Sequence, residues 1–268
     1  ARDVITVTAQ RREQSVVDVP ISITAVSGAE IEQRGVEQLR DLQYSIPGLS
    51  IADRGPGTGQ VQLRGVSQFV GAPTVGTYLD ELSIAPGAAG SALSPQLIDL
   101  ARVEVLRGPQ PALYGESSMG GTIRYITADP DLEAFSGRAG AEIATTDGGS
   151  ESYRTEGVLN LPLAQGVFAA RIAGVYEEAG GWIDTPDGAD ANDATTSHLR
   201  AKLRFEPTDA LSFSFLAMTQ TMEEDDSTLS DEDGFNPAPG RAPSRDEFDV
   251  FNLVAEYDFG FATLLSST

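Results

Sequence analysis

Read as apolar and polar positions, the chain changes style near residue 135. Beyond it the two kinds alternate in short runs, and 136–146, 151–161, 167–178, 197–206, 210–221, 248–258 and 261 onward read as strands. The connections run short, short, long, short, long, short. Tight turns at 162–166, 207–209 and 259–260 fall at every second position, whereas 179–196 and 222–247 are long and acidic. Brief turns on one rim and long loops on the other are the pattern of a membrane β-barrel. A soluble meander has no reason to sort its loops.

The strand faces sharpen this picture. In 197–205 the odd positions are Ser197, Leu199, Ala201, Leu203 and Phe205; the even ones are His198, Arg200, Lys202 and Arg204. A basic side chain facing lipid at the midplane costs roughly 2–4 kcal/mol, so the basic row is expected to face a lumen. There it would meet carboxylates such as Glu104 or Asp80. In 211–220, Leu211, Phe213, Phe215, Ala217 and Thr219 share one face. The same alternation suits a two-layer soluble sandwich with its polar face in water. Pattern alone leaves the two nearly equal. Seven strands leave an open edge, which is costly in a bilayer, so the expected protein is well over twice this length.

Before residue 135 the signals are mixed. Residues 20–26 alternate as a half-buried strand, and Ser27 with Glu30 forms a capping box that predicts a short helix ending near Gly35. Val36, Leu39, Leu42 and Ile46 form an apolar stripe at helical spacing, closed by Pro47-Gly48, and read as core. Residues 60–65 and 77–84 read as strands separated by the glycine-rich stretches 53–59, 67–72 and 85–91. The Gly55-x-Gly57-x-Gly59 spacing lacks the Lys-Ser/Thr and the βαβ setting of a phosphate loop.

Composition narrows the chemistry. The 268 residues include no cysteine and one histidine, which excludes thiol nucleophiles, disulfides and Cys or multi-His zinc sites within the chain. No apolar run is long enough for a transmembrane helix. Residues 1–130 hold 10 Lys+Arg and 14 Asp+Glu, and the remainder 8 and 26, so the net charge of −22 divides as −4 and −18. Such a chain repels nucleic acid. Ala1 follows no basic or apolar leader, so for an exported protein the signal peptide is already removed.

The most specific stretch is Leu100 to Thr127. It reads as a strand, Arg107-Gly108-Pro109, an exposed Leu113-Tyr114-Gly115 corner, a Gly120-Gly121 pair and a second strand. This order resembles the plug domain of TonB-dependent outer-membrane receptors, closely over 4–128 and loosely beyond. Arg102, Glu104, Arg107, Gly108, Pro109, Tyr114, Gly115, Gly120 and Gly121 match. Asp80-Glu81 departs from the usual Asp-Gly turn, and Ala101 stands where Glu is common.

The resemblance implies an α+β plug domain inside a membrane β-barrel, 22-stranded in the family, with only about seven strands in this chain. Residues 1–19 would be the TonB box and linker, 20–130 the plug, and 131–268 the N-terminal part of the barrel. Val4, Ile5, Thr6, Val7 and Thr8 resemble the box, an unpaired strand offered to a partner's sheet edge. The implied function is TonB-dependent import of a scarce nutrient, such as a ferric siderophore, across the bacterial outer membrane. The partners would be the TonB energy-transducing complex, outer-membrane lipid and a small-molecule nutrient. The alternative is a non-transporting structural or interaction subunit that keeps the fold.

Residue roles follow from this frame. Arg54, Thr58, Gln68, Phe69 and Trp182 are the candidates for substrate contact, and Trp182 also suits an interfacial girdle. Arg64, Arg102, Glu104, Arg107, Arg200 and Arg204 are the candidates for plug–barrel gating. No cofactor and no catalytic residue is expected: His198 sits in the basic row without a Gly-x-Ser-x-Gly elbow, and no carboxylate pair stands out. Asp187, Asp190 and Asp193 are weak calcium candidates in a loop that reads equally as simple solvated acid.

Overall fold

A computed structural model describes residues 6–8, 14–52, 60–66, 73–84, 95–115, 118–226, 230–231, 233–238, 240 and 242–268. The chain divides into two compact units, one ending at Ala128 and the other beginning at Asp129.

In the first unit β1 (Thr6–Val7) pairs antiparallel with β2 (Gln14–Ser15). β3 (Ile23–Ser27) leads into α1 (Gly28–Gln33), whose first turn is capped as expected: Ser27 Oγ accepts the Glu30 N–H at 3.2 Å. The stripe of Val36, Leu39, Leu42 and Ile46 is buried, but only Leu39–Leu42 is helical, as one 3₁₀ turn. Asp41 caps the start of that turn, its carboxylate folding back to accept the N–H groups of Glu37 and Gln38.

β4 (Leu49–Ala52) and β5 (Gln60–Leu63) form a separate hairpin. The single strand expected over 77–84 is instead two, β6 (Val75–Leu79) and β7 (Leu82–Ser83), broken by a turn at Asp80-Glu81 where Asp80 takes φ 50°. Next come β8 (Leu100–Arg107), α2 (Pro111–Tyr114) and β9 (Gly121–Thr127). The main sheet has the order β3-β8-β9-β6-β7, antiparallel except for the parallel β6–β9 pair. Gly121 is required where β9 starts: a Cβ there would lie 2.3 Å from the Leu106 carbonyl oxygen.

Two expectations change here. Tyr114 is not at an exposed corner; it is buried, with Leu113 beside it left 41 % exposed. α2 turns the tyrosine inward against Val7, Val19 and Leu106. The described part of the N-terminal segment is not an unpaired strand either, since β1 already has β2 as its partner and Val7 is fully buried.

The second unit is one antiparallel meander in chain order: β10 (Ser136–Thr145), β11 (Glu151–Ala164), β12 (Phe168–Ala179), β13 (Ala194–Thr208), β14 (Leu211–Glu224), β15 (Ser244–Asp258) and β16 (Thr263–Ser267). Several strands outrun their expected bounds toward the long-loop rim. Arg245 on β15 bonds Glu223, its register partner on β14, so residues expected as loop continue the ladder. Pro162 is accommodated within β11 beside a register shift between Pro162 and Ala164.

Burial in this sheet is the reverse of a water-soluble one. Thr196, His198, Arg200 and Lys202 are buried, while Leu199 between them is 52 % exposed. The next strand repeats the pattern: Gln220 is buried and Phe215 exposed, and on β15 Asn252 is buried and Phe251 exposed. Aromatic residues gather near the tight-turn rim, where Phe205 packs against Phe168 and Phe213, and Phe259 against Tyr257 and Phe261. Tyr153 and Tyr176 mark the other end of the exposed face, their hydroxyls bonded to Glu151 and Glu178. Phe168 to Tyr176 is eight steps along β12, about 27 Å at ~3.4 Å per residue. A strand tilted as in outer-membrane barrels would bring that span near the height of a lipid-facing apolar band.

Asn160, fully buried, ties the start of this unit to the sheet. Its side chain donates to the carbonyls of Asp131 and Ala134 and accepts the Asp131 N–H, at 2.9, 2.7 and 2.9 Å. The Asp131 carboxylate accepts the N–H groups of Glu133 and Ala134, which hold its pKa below the usual carboxylate value.

Candidate functional site

β8 and β9 place Glu104 directly opposite Arg124, and Arg102 lies two residues along the same face of β8. All three point toward the segment that follows β1. Glu104 Oε1 accepts the Thr8 N–H at 2.9 Å and Arg102 Nε at 2.7 Å; its Oε2 accepts Arg124 Nη1 at 2.7 Å. The Thr8 hydroxyl oxygen accepts from Arg124 Nη1 at 2.8 Å and from Arg102 Nη2 at 3.1 Å. Arg124 Nη2 reaches Glu81 Oε1 at 3.0 Å, and its guanidinium lies 5.8 Å from the Tyr114 ring centroid.

The side chains of Glu104 and Arg124 are 0 % and 1 % exposed, so water does not screen these bonds. Within this group two arginines and two glutamates cancel. Burying ions is itself expensive, and such a cluster adds little over an apolar core. Removing one member, however, strands the others at a cost of roughly 3–5 kcal/mol. The chemical result is a latch: Thr8 is bound through both main chain and side chain to groups that cannot easily be left alone.

An apolar socket completes it. Val7 packs in a buried cluster with Val19, Leu106 and Tyr114, and Val16, Ile21, Ile23, Ala25 and Tyr78 pack against them. Tyr78 meets Tyr114 edge-on at 5.1 Å and donates its hydroxyl to the Tyr114 carbonyl at 2.8 Å.

The sequence-predicted residues thus fall into distinct groups. Thr6, Val7, Thr8, Arg102 and Glu104 come together; Val4 and Ile5 lie outside the described residues, as do Arg54, Thr58, Gln68 and Phe69. Glu104 was expected to meet the basic row of the second half, but both its oxygens bond partners in its own unit. Asp80 accepts the N–H and hydroxyl of Thr127. Arg64 lies beside Gly108, and Arg107 donates its N–H to the Ser22 carbonyl. Arg200 is buried on β13, and Arg204 bonds Glu206 Oε1 through Nε at 2.6 Å. Lys202, which neighbours them on that row, pairs with Asp129 at 2.8 Å.

Sequence reasoning missed Arg124 and the role of Glu81. The signal was an arginine between Ile123 and Tyr125 in an otherwise apolar strand, a position that demands a buried carboxylate.

The loop of the calcium candidates is organised by main-chain hydrogen bonds. Asn192 Oδ1 accepts the N–H groups of Trp182 and Ile183, Asp193 accepts that of Gly181, and Asp190 accepts the Ser150 hydroxyl. Asp187 accepts the Gly240 N–H at 3.2 Å. Among the described residues no group of three or more His, Cys, Asp or Glu is arranged to hold a metal ion. Trp182 is 43 % exposed and lies against Gly234 of the next long loop, whose carbonyl accepts the Asp184 N–H.

The family described as "TonB-dependent Receptor Plug Domain" matches residues 15–122. The chain belongs to the TonB-dependent receptors. The pesticin receptor of Yersinia pestis is 31 % identical over 194 residues, covering 70 % of this chain and 28 % of that receptor. The vitamin B12 transporter BtuB of Vibrio vulnificus is 34 % identical over 164 residues, 59 % of this chain and 26 % of the transporter. The chain thus spans little more than a quarter of these relatives.

Among solved structures, the ferric yersiniabactin uptake receptor FyuA from Yersinia pestis matches with a TM-score of 0.73 at 25 % identity, covering 89 % of this chain and 38 % of that one. FpvA from Pseudomonas aeruginosa bound to pyoverdine matches at 0.78 and 21 % identity, over 96 % and 38 %, which concerns the fold alone. The first unit is therefore a plug and the second a run of barrel-wall strands, and the inverted burial of the wall has its reason in lipid. The protein is located in the bacterial outer membrane, as the iron-regulated outer membrane virulence protein of Vibrio cholerae is by name, 29 % identical over 140 residues.

Proposed function

We propose that this chain carries the closed gate of a TonB-dependent importer of a scarce nutrient, a ferric siderophore or a compound of similar rank. The observation that carries the reading is the docked state of Thr6–Thr8. β1 is already paired, Val7 is buried, and Thr8 is bonded to Glu104, Arg124 and Arg102. A partner that captures an extended segment by strand addition needs that edge free. In this state the box is withheld from TonB; substrate binding on the outer side shifts the balance toward release. TonB then takes the segment and force displaces the plug.

The relatives' names support small-molecule import without choosing the molecule. They include a vitamin B12 transporter and a hemin receptor, and the similar structures include siderophore receptors. In this reading Trp182, on an outer loop, contributes to substrate contact together with Arg54, Thr58, Gln68 and Phe69. Arg64, Arg107, Arg200 and Arg204 contribute to gating.

The test is deletion of Val4 to Thr8 in the outer-membrane protein, followed by growth on single limiting nutrients. Loss of growth on one nutrient, with the protein still in the membrane, is the expected result. Unchanged uptake of every nutrient would favour the non-transporting subunit instead.

A further inference from the structure

The turn between β6 and β7 holds a residue whose placement turn chemistry does not explain. Where the family resemblance expects Asp-Gly, this chain has Asp80-Glu81. Asp80 takes the left-handed conformation that the turn requires, at φ 50°. Glu81 is not left as a solvated surface acid. Its side chain is 17 % exposed and one of its oxygens receives Arg124 Nη2 at 3.0 Å.

We propose that Glu81 is a positioning residue that keeps the N-terminal latch shut by fixing the Arg124 guanidinium on Thr8. The functional consequence rests on the import reading given above. A guanidinium is a planar fork, and one carboxylate alone leaves it free to pivot. Here Glu104 takes one prong and Glu81 the other, so Nη1 is held where it also donates to the Thr8 hydroxyl.

The turn that carries Glu81 is itself bolted to β9 just past Arg124, at Tyr125 and Thr127. The Asp80 N–H donates to the Tyr125 carbonyl at 2.8 Å, and the Asp80 carboxylate accepts the N–H and hydroxyl of Thr127, each at 2.8 Å. Glu81 therefore cannot drift unless the hairpin moves. The hairpin runs in sequence directly into the glycine-rich stretch 85–91. A displacement of β6–β7 withdraws the carboxylate, frees one prong of Arg124 and loosens Thr8. Glu81 converts motion of this hairpin into release of the box.

The chain has no cysteine, so a thiol introduced at the exposed Thr6 takes a nitroxide label with no competing site in this sequence. The label is read by its electron paramagnetic resonance line shape in outer-membrane vesicles, with a second label at Met119, 64 % exposed, reporting on the plug as a whole. Glu81→Gln keeps the side-chain shape and removes the charge. It is expected to raise the mobile population at Thr6 about tenfold, the factor for one lost charge-assisted hydrogen bond, without changing the Met119 label. Thr8→Val, which spares every ion, should mobilise the Thr6 label in the same way, and Glu30→Gln should not.

An unchanged Thr6 spectrum in Glu81→Gln overturns the proposal. So does equal loosening at both labels, which would mean that Glu81 merely supports the fold. Mobilised Thr6 with greater capture by the periplasmic domain of TonB supports both the latch and the import reading. Mobilised Thr6 without greater capture supports the latch and overturns the import reading.

Discussion

Plug and wall both bury arginine, and they do so for opposite reasons. In the plug, Arg124 is a lone charge between the buried Ile123 and Tyr125 of β9, and is tolerated because Glu104, Glu81 and Thr8 meet it. In the wall, Arg200 and Lys202 occupy the ordinary position for polar side chains, and the apolar Leu199 and Phe251 are the ones left exposed. A buried charge is an exception in the first region and the rule in the second. Burial therefore does not identify a functional charge; the direction of the surrounding gradient does.

The comparison breaks most sharply at the ionic latch. Arg124→Met should cost the plug roughly 3–5 kcal/mol, because Glu104 and Glu81 keep their charge in a dry site. Adding Glu104→Gln to that variant should recover part of the loss. Denaturant unfolding followed by a plug-specific probe measures both, and strictly additive losses would contradict the coupling.

In the wall only the face should matter. Exchanging Leu199 and Arg200 leaves composition intact but turns the charge toward lipid, for an expected loss of roughly 2–4 kcal/mol near the midplane. Unfolding from lipid vesicles reads that loss, and an unchanged midpoint would mean that the face is not in lipid. The smallest effect is expected at the start of the wall. Asn160→Ala removes three hydrogen bonds to residues 131–134 and leaves their main-chain groups to find new partners, about 1–3 kcal/mol. Faster amide exchange at Asp131 with little change elsewhere would confirm that it acts locally.

Much of this architecture was legible because it is local or periodic. The Ser27 cap needs three neighbouring residues, and the wall strands announce themselves by alternation repeated seven times. The latch was only half legible. Arg102 and Glu104 lie two apart and fit the family signature, but Thr8 meets Arg124 across 116 residues, and Glu81 reaches Arg124 from the turn after β6, the strand parallel to β9. No spacing rule connects such positions, because the register of β8, β9 and β6 creates their proximity. At Val36 to Ile46 the apolar period is helical and all four side chains are buried, yet only Leu39–Leu42 forms a 3₁₀ turn, so burial and helix are separable here. Tyr114 likewise needed the fold of α2 to reveal that it looks inward.

The most direct test of the central contrast is an accessibility scan with single nitroxide labels from His198 to Phe205 in outer-membrane vesicles. Collision rates with oxygen, which partitions into lipid, and with a water-soluble nickel complex should alternate with a period of two, with oxygen winning at Leu199, Ala201 and Leu203. Uniform access by the nickel complex along the strand would contradict the membrane wall, and with it the plug-and-wall reading of this chain.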